Sequence, residues 1–183
     1  MSIRFYVRTG PAPPVAANLP ADGEVKIWRP ASDGPPHPGP GALENLAWLA
    51  IHRLGLFASD EFEEITIRRG GRRLHRLVVT PRWVRFPFMA PGDLQIGALW
   101  TAPEARRSGL ARAAIAEAHG RHARVGRSIW YLADEANAAS VALADACGYR
   151  LAGAGRRTRP LGFAAFGQFR LETVTVPSSP RPG

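Results

Sequence analysis

The sequence predicts a mixed α/β (α+β) sheet with helices packed on its faces, and three observations carry that reading. Its elements run helix, three consecutive strands, helix, strand, helix and two strands, an order that a single mixed sheet accommodates most economically. Within the three-strand run, Glu63–Arg69 and Arg72–Thr80 are β-rich and flank Gly70-Gly71, which supplies the positive φ angles of a tight antiparallel hairpin. The 183 residues are ample for one real core and short for two, so residues 1–175 form one domain and 176–183 a frayed tail.

In chain order, Ile3–Arg8 reads as a short strand, and residues 10–41 carry most of the prolines in a constrained loop. Inside that loop Glu24–Trp28 alternates as a strand. From Ala42 to Leu54 the apolar residues Leu43, Leu46, Ala47, Ala50, Ile51 and Leu54 recur at helical spacing, and Gly55 stops the helix. After the hairpin, Pro81–Gly92 is too proline-broken for a regular element, whereas Asp93–Thr101 reads as a buried strand with a bulge at Gly97. Gly109–Arg124 is an amphipathic helix, Ser128–Ala133 an apolar strand, and Asn137–Cys147 an alanine-rich helix ending at Gly148. Tyr149–Ala154 and Ala165–Val176 complete the sheet.

Composition narrows function. Hydrophobic residues at 45% and charged residues at 21% exclude wholesale disorder. The single cysteine, Cys147, excludes an intrachain disulfide and a cysteine-based metal site, and it fits a reducing compartment. The N-terminus lacks the apolar core of a signal peptide and no stretch approaches the ~20 apolar residues of a membrane span, so a cytoplasmic protein without a membrane partner is expected. The formal charge of +9 comes almost wholly from arginine, Lys26 being the sole lysine. Arg68, Arg69, Arg72, Arg73 and Arg76 form a loose hairpin cluster without the aromatic-interleaved stripe of a nucleic-acid binder, so no nucleic-acid partner is expected. A small anionic or phosphate-bearing molecule suits so many arginines better.

The segment most informative about chemistry is 101–118, which sets a basic, glycine-containing turn between a strand and a helix. Free N–H groups at such a helix start make an anion site, Gly109 lets a phosphate approach the backbone, and Arg106 and Arg107 add charge. The alternative is an ordinary tight-turn glycine ahead of a surface helix. No Gly-Lys-Ser/Thr and no GxGxxG follow the strand, which excludes the Walker loop and the dinucleotide fingerprint.

The run Pro103-Glu104-Ala105-Arg106-Arg107-Ser108-Gly109-Leu110-Ala111 resembles the acetyl-coenzyme A signature of the Gcn5-related N-acetyltransferase (GNAT) family, Arg/Gln-x-x-Gly-x-Gly/Ala. A second stretch, Asn137 through Ser140 to Gly148-Tyr149, is similar to that family's later Asn-x-x-Ser segment with its closing Gly-Phe/Tyr. Together the motifs cover residues 93–155 and imply a central, mostly antiparallel sheet flanked by helices on both faces. The resemblance further implies acetyl-CoA as co-substrate, no metal, and transfer of the acetyl group to a primary amine. The backbone amides of Arg107, Ser108, Gly109, Leu110 and Ala111 would hold the pyrophosphate. Leu99 and Thr101 would pair with the pantetheine arm, and Asn137 would bond it from the other side. Asn137 equally fits a plain helix N-cap and Ser140 a first-turn polar residue.

An amine attacking a thioester needs a proton removed, an oxyanion stabilised and a thiolate protonated. The resemblance implies a backbone N–H near Leu99 or Trp100 for the oxyanion. The family's usual tyrosine acid falls at Ala144 here; the candidates left are Tyr149, which could also be core packing, Tyr131 on the preceding strand and Cys147, which reads rather as a buried small residue, and water or a substrate group could protonate the thiolate instead. Candidate bases are Asp93, which could also be a turn residue, and His75, which could also be structural. Glu63 and Glu64 are further candidates, though such pairs are mostly solvated surface. Trp83–Met89 could clamp a planar or anionic acceptor such as a nucleotide-linked amino sugar, or could close the core or meet a second subunit of a homodimer. Rival functions are a non-catalytic acetyl-CoA sensing domain and a protein N-acetyltransferase.

Overall fold

Gly70 and Gly71 adopt φ of +54° and +77°, the turn that folds the hairpin strands back on each other. In this computed structural model, which describes residues 2–10, 19, 22–34, 42–158 and 167–173, they join β3 (Glu63–Arg69) to β4 (Arg72–Pro81). The other elements are β1 (Ile3–Thr9), β2 (Gly23–Trp28), α1 (Ala42–Arg53), β5 (Leu94–Thr101), α2 (Leu110–His122), β6 (Ser128–Asp134), α3 (Ala138–Ala146), β7 (Arg150–Arg157) and β8 (Phe169–Thr173). The elements expected from the sequence are present, with ends shifted by a few residues. Most of the proline-rich loop, the outer parts of the expected strand 165–176 and the tail lie outside the described residues.

The strands form one eight-stranded sheet in the order β2-β3-β4-β5-β6-β1-β7-β8. Among the described residues only β5 and β6 pair in parallel; the other pairs are antiparallel. The first strand therefore does not lie at an edge. It is wedged between β6 and β7, and its Phe5, Tyr6 and Val7 are buried.

Alternation along the strands divides the core. Ile65, Ile67, Leu77, Val79, Leu94 and Ile96 face one side, where Leu110, Ala113, Ala114, Ile115 and Ala118 of α2 cover them. Each large aliphatic side chain buried there contributes roughly 1.5–3 kcal/mol. Val78 faces the other side with Phe62, Trp28 and Leu49 of α1. Beyond α1 the segment Trp83–Met89 closes that same side, with Phe86 and Met89 packed on Phe5, Val7 and Trp130. The core-closing role of this segment is thus the one observed for Phe86 and Met89.

Candidate active site

A fork opens between the two parallel strands. They pair only at Leu94–Ile129, Gln95–Trp130 and Ile96–Tyr131. Past Ile96, β5 runs on to Thr101 and β6 to Asp134 without pairing each other. A bulge bends β5 at this point: Val78 opposes Gly97 and Arg76 opposes Trp100, so Ala98 and Leu99 together face Leu77. The expected bulge is present, but its left-handed residue is Ala98, at φ +50°, and not Gly97. A Cβ on Gly97 would lie 2.5 Å from Gln95 Nε2, so a larger residue there would displace the Gln95 amide.

The open end of the fork leads into the turn before α2. After a 3-10 turn at Pro103–Ala105, Arg107 takes φ +63° and Gly109 φ +85°, and the Ser108 hydroxyl donates to the Ala105 carbonyl at 2.6 Å. The first bond of α2 runs from Ala113 N to Gly109 O, so the N–H groups of Leu110, Ala111 and Arg112 have no acceptor within the helix. Arg106, Arg107 and Arg112 are exposed beside them. A Cβ on Gly109 would stand in open space, with nothing within 4 Å. The turn thus offers a backbone cradle for a phosphate, with room where any other residue would put a side chain. The free N–H groups and the exposed Arg106 and Arg107 have the chemistry to hold a diphosphate.

The start of α3 flanks the same fork. Asn137 caps it, its side-chain oxygen accepting from Ser140 N at 3.1 Å, which is the N-cap alternative; Ser140 Oγ lies 2.8 Å from Tyr131 Oη. Tyr131 is the last residue of β6 paired with β5, so this phenol stands beside the vertex. Burial raises its pKa and keeps it protonated. Alternation placed Tyr131 on a strand; its meeting with Ser140 depends on how α3 crosses back over the sheet.

The three residues expected to carry proton transfer are built into the scaffold. Asp93 is buried at the far end of β5, where its carboxylate accepts from Ala90 N, Ser128 N and Trp130 Nε1 at 2.9–3.0 Å and ties β5 to β6. His75 is fully enclosed, its Nδ1 2.8 Å from Thr101 Oγ1, and burial lowers its pKa to about 4. Tyr149 lies in the core with its hydroxyl 2.8 Å from His119 Nε2, and burial pushes its pKa well above 10. Ala144 is completely buried.

Glu63 and Glu64 are not solvated. Glu63 accepts from Arg29, Arg121 and His122 at 2.6–3.0 Å; burial opposes its charge, yet these bonds hold it well below the usual carboxylate range. Glu64 points to the α1 side in the row Glu64, Val78, Gly97, next to the bulge. Arg76 Nε donates to it at 2.6 Å, while Arg76 also reaches Glu44 at 2.7 Å and Asn45 at 2.8 Å on α1.

On the same side, near the Asp93 end of β5, Phe57, Arg82, Trp83, Val84 and Pro87 line a groove of about 380 Å³. Arg85 lies over the Trp83 ring at 4.7 Å, and Trp83 Nε1 has no hydrogen-bond partner among the described residues.

Residues 48–149 match the model of the Acetyltransferase (GNAT) family. No curated protein matches the chain. Among solved structures, a conserved protein of unknown function from Staphylococcus epidermidis is 12% identical at a TM-score of 0.50, covering 84% of this chain and 58% of its own. A Drosophila protein is 20% identical at 0.51, covering 84% and 48%. A GCN5-related N-acetyltransferase from Kribbella flavida is 18% identical at 0.47, covering 82% and 55%. The chain spans about half the length of these proteins, and its likeness to the first two, at such identities, is one of fold.

Proposed function

The chain belongs to the GNAT acetyltransferase family, and on that premise we propose that it moves an acetyl group from acetyl-CoA to the primary amine of a small molecule. The observation that carries this reading is the fork between β5 and β6, open at the N–H cradle of Gly109–Arg112 and closed at Tyr131. When bound, acetyl-CoA would supply an acetyl group already activated as a thioester. The chain's own part is to hold and to move protons. The cradle with Arg106 and Arg107 would hold the diphosphate, Leu99 and Thr101 would orient the arm, and a bulge N–H at Leu99 or Trp100 would stabilise the oxyanion. Tyr131 Oη holds a proton that it can give to sulfur, the task left open by Ala144.

On the acceptor side, the α1 face carries the polar row beside the bulge and the Trp83 groove. The groove's aromatic wall, Arg82 and the stacked Arg85 suit an amine attached to a planar or anionic group, such as a nucleotide-linked amino sugar. Polyamines and basic peptides are disfavoured by the +9 charge.

The burial of Asp93, His75, Tyr149 and also Tyr131, which is 2% exposed, favours a second reading, a non-catalytic acetyl-CoA binder. Thermal unfolding with acetyl-CoA, coenzyme A and ATP, followed by an acceptor panel of amino sugars, polyamines and peptides, tests both. A raised midpoint with acetyl-CoA and acetylation of amino sugars supports the proposal. A raised midpoint with no acceptor acetylated supports the binder, and acetylation of peptides alone overturns the acceptor class. Gly109→Trp, which crowds the cradle, should weaken acetyl-CoA binding about 100-fold or more; undiminished binding would refute the site.

A further inference from the structure

The outer face of α1 breaks the rule that the apolar side of a surface helix turns inward. Its spacing would send Leu43, Leu46, Ala47, Ala50 and Leu54 to the core, yet all five are exposed, Leu43 at 85% and Leu54 at 71%. The side that meets the sheet carries Asn45, Trp48 and Leu49 instead. Arg76 sets this orientation, because its guanidinium on β4 holds Asn45 at 2.8 Å and Glu44 at 2.7 Å and so fixes which face of α1 looks out. Leu54 N still donates to Ala50 O, so Leu54 belongs to the same helical stripe.

Leu43, Ala47, Ala50 and Leu54 are spaced by four, three and four residues, the seam of a two-stranded helix pair. The seam is the same in both directions: leucine, alanine, alanine, leucine. Two copies laid antiparallel about a two-fold axis therefore match layer by layer, Leu43 against the partner's Leu54 and Ala47 against the partner's Ala50. The alanines let the helix axes approach to about 8 Å at the crossing, and the leucines close both ends. Like charges stay apart, since Glu44 and its symmetry mate stand about 13 Å from each other along the axis, as do Arg53 and its mate.

The apolar surface continues past the helix. Leu56 and Val84, 47% and 63% exposed, line the Trp83 groove next to Leu54. With Leu43, Leu46 and Leu54 they present roughly 400 Å² of apolar surface per copy, as large as the largest patches on monomers. Adding Ala47, Ala50 and the helix flanks, two copies would bury about 1,000–1,200 Å², the lower bound of a specific interface.

We propose that α1 is the interface of a homodimer, its outer stripe paired antiparallel with the same stripe of a second copy. A stripe that is its own complement under a two-fold axis fits an isologous contact. The pairing leaves the turn before α2 open, because α1 and α2 cover opposite faces of the sheet. It also sets the N-terminal end of each α1 beside the other copy's Leu54, at the edge of the groove. This inference stands apart from the donor site proposed above.

Sedimentation velocity on the full chain between about 1 and about 200 µM should show a monomer–dimer equilibrium with a Kd of about 1–100 µM. Leu43→Glu should weaken dimerisation about 30-fold or more. The urea midpoint of that variant, read by tryptophan fluorescence at about 0.1 µM, should match wild type, because Leu43 is exposed and glutamate suits a helix start. Leu43→Glu/Leu54→Lys sets opposite charges against each other only in the antiparallel register. It should dimerise at least about tenfold more tightly than Leu43→Glu/Leu54→Glu, an advantage that about 1 M salt removes.

A wild type that stays monomeric at about 200 µM overturns the proposal. Binding of such a monomer to anionic lipid vesicles would assign the stripe to a membrane, and a lowered urea midpoint in Leu43→Glu would assign it to another segment of the same chain. A dimer that Leu43→Glu does not weaken, or that the two double variants weaken equally, overturns the antiparallel α1 pairing.

Discussion

Around the bulge in β5, the mouth of the fork and the α1 face are held by different means. At the mouth the working groups are backbone: the N–H groups of Leu110, Ala111 and Arg112, with Arg107 and Gly109 at positive φ. On the α1 face they are side chains, with Arg76 shared among Glu64, Glu44 and Asn45. A backbone cradle open to water tolerates an empty site, because solvent replaces the ligand. A buried charge network has no such substitute, since removing one partner leaves another charge uncompensated. The difference teaches where substitutions should cost stability and where they should cost only binding or turnover.

The sharpest way to break this contrast is Glu64→Ala. With Glu64 and Arg76 side chains each 7% exposed, loss of the carboxylate should destabilise the fold by about 3–5 kcal/mol, read by urea denaturation. A loss below about 1 kcal/mol would place the network among solvated surface pairs and erase the contrast.

Acid is the next lever. Burial lowers the pKa of His75 to about 4; burial, then the charges of Arg8 and His122, do the same for His119. Both rings are neutral in the fold and protonate more readily in the unfolded chain. The unfolded state therefore binds more protons between pH 6.5 and about 4, and stability falls as pH drops through that window. The slope should reach up to ~1.4 kcal/mol per pH unit for each ring. Glu63, held low by its partners, adds its own loss only below about pH 4.5. If His75→Gln leaves the stability slope between pH 6.5 and 4 unchanged, the ring is not the neutral core group described.

A smaller effect separates chemistry from scaffold at the vertex. Tyr131→Phe removes the hydroxyl next to Ser140 and should cost about 1 kcal/mol of stability. As a proton donor its loss should lower kcat by about 10- to 100-fold with acetyl-CoA affinity unchanged. An acetyl thioester of an acidic aromatic thiol, whose leaving group needs no proton, should restore the rate. An equal kcat deficit with both donors would make Tyr131 a structural residue.

What could be read in the sequence follows the same division. The turn at 103–111 was legible because glycine and spacing report backbone geometry directly, as Gly70-Gly71 did for the hairpin. The bulge was legible only to its neighbourhood, since Gly97 advertised it and Ala98 carries the unusual φ. The burial of Glu63 and Glu64 was not legible: their partners Arg121, His122 and Arg76 come from other elements, and a charged pair reads as surface until those elements meet. Nor was the place of β1, whose alternation sets its faces but not its neighbours β6 and β7. Asp93, His75 and Tyr149 belong to the same lesson. Each is a chemically able residue whose role was decided by the hydrogen bonds that distant segments bring to it.

The smallest expected effect has the most telling sign. Arg69 is exposed, faces Arg72 across the hairpin and has no ion pair among the described residues, so Arg69→Glu replaces a repulsion by an attraction. The fold should gain about 0.2–1 kcal/mol, seen as a rise in Tm of a few degrees at most. High salt should erase the gain, because both charges are exposed and screened. A residue kept for stability would respond in the opposite direction, so a fall in Tm would mean that the tip is part of the scaffold.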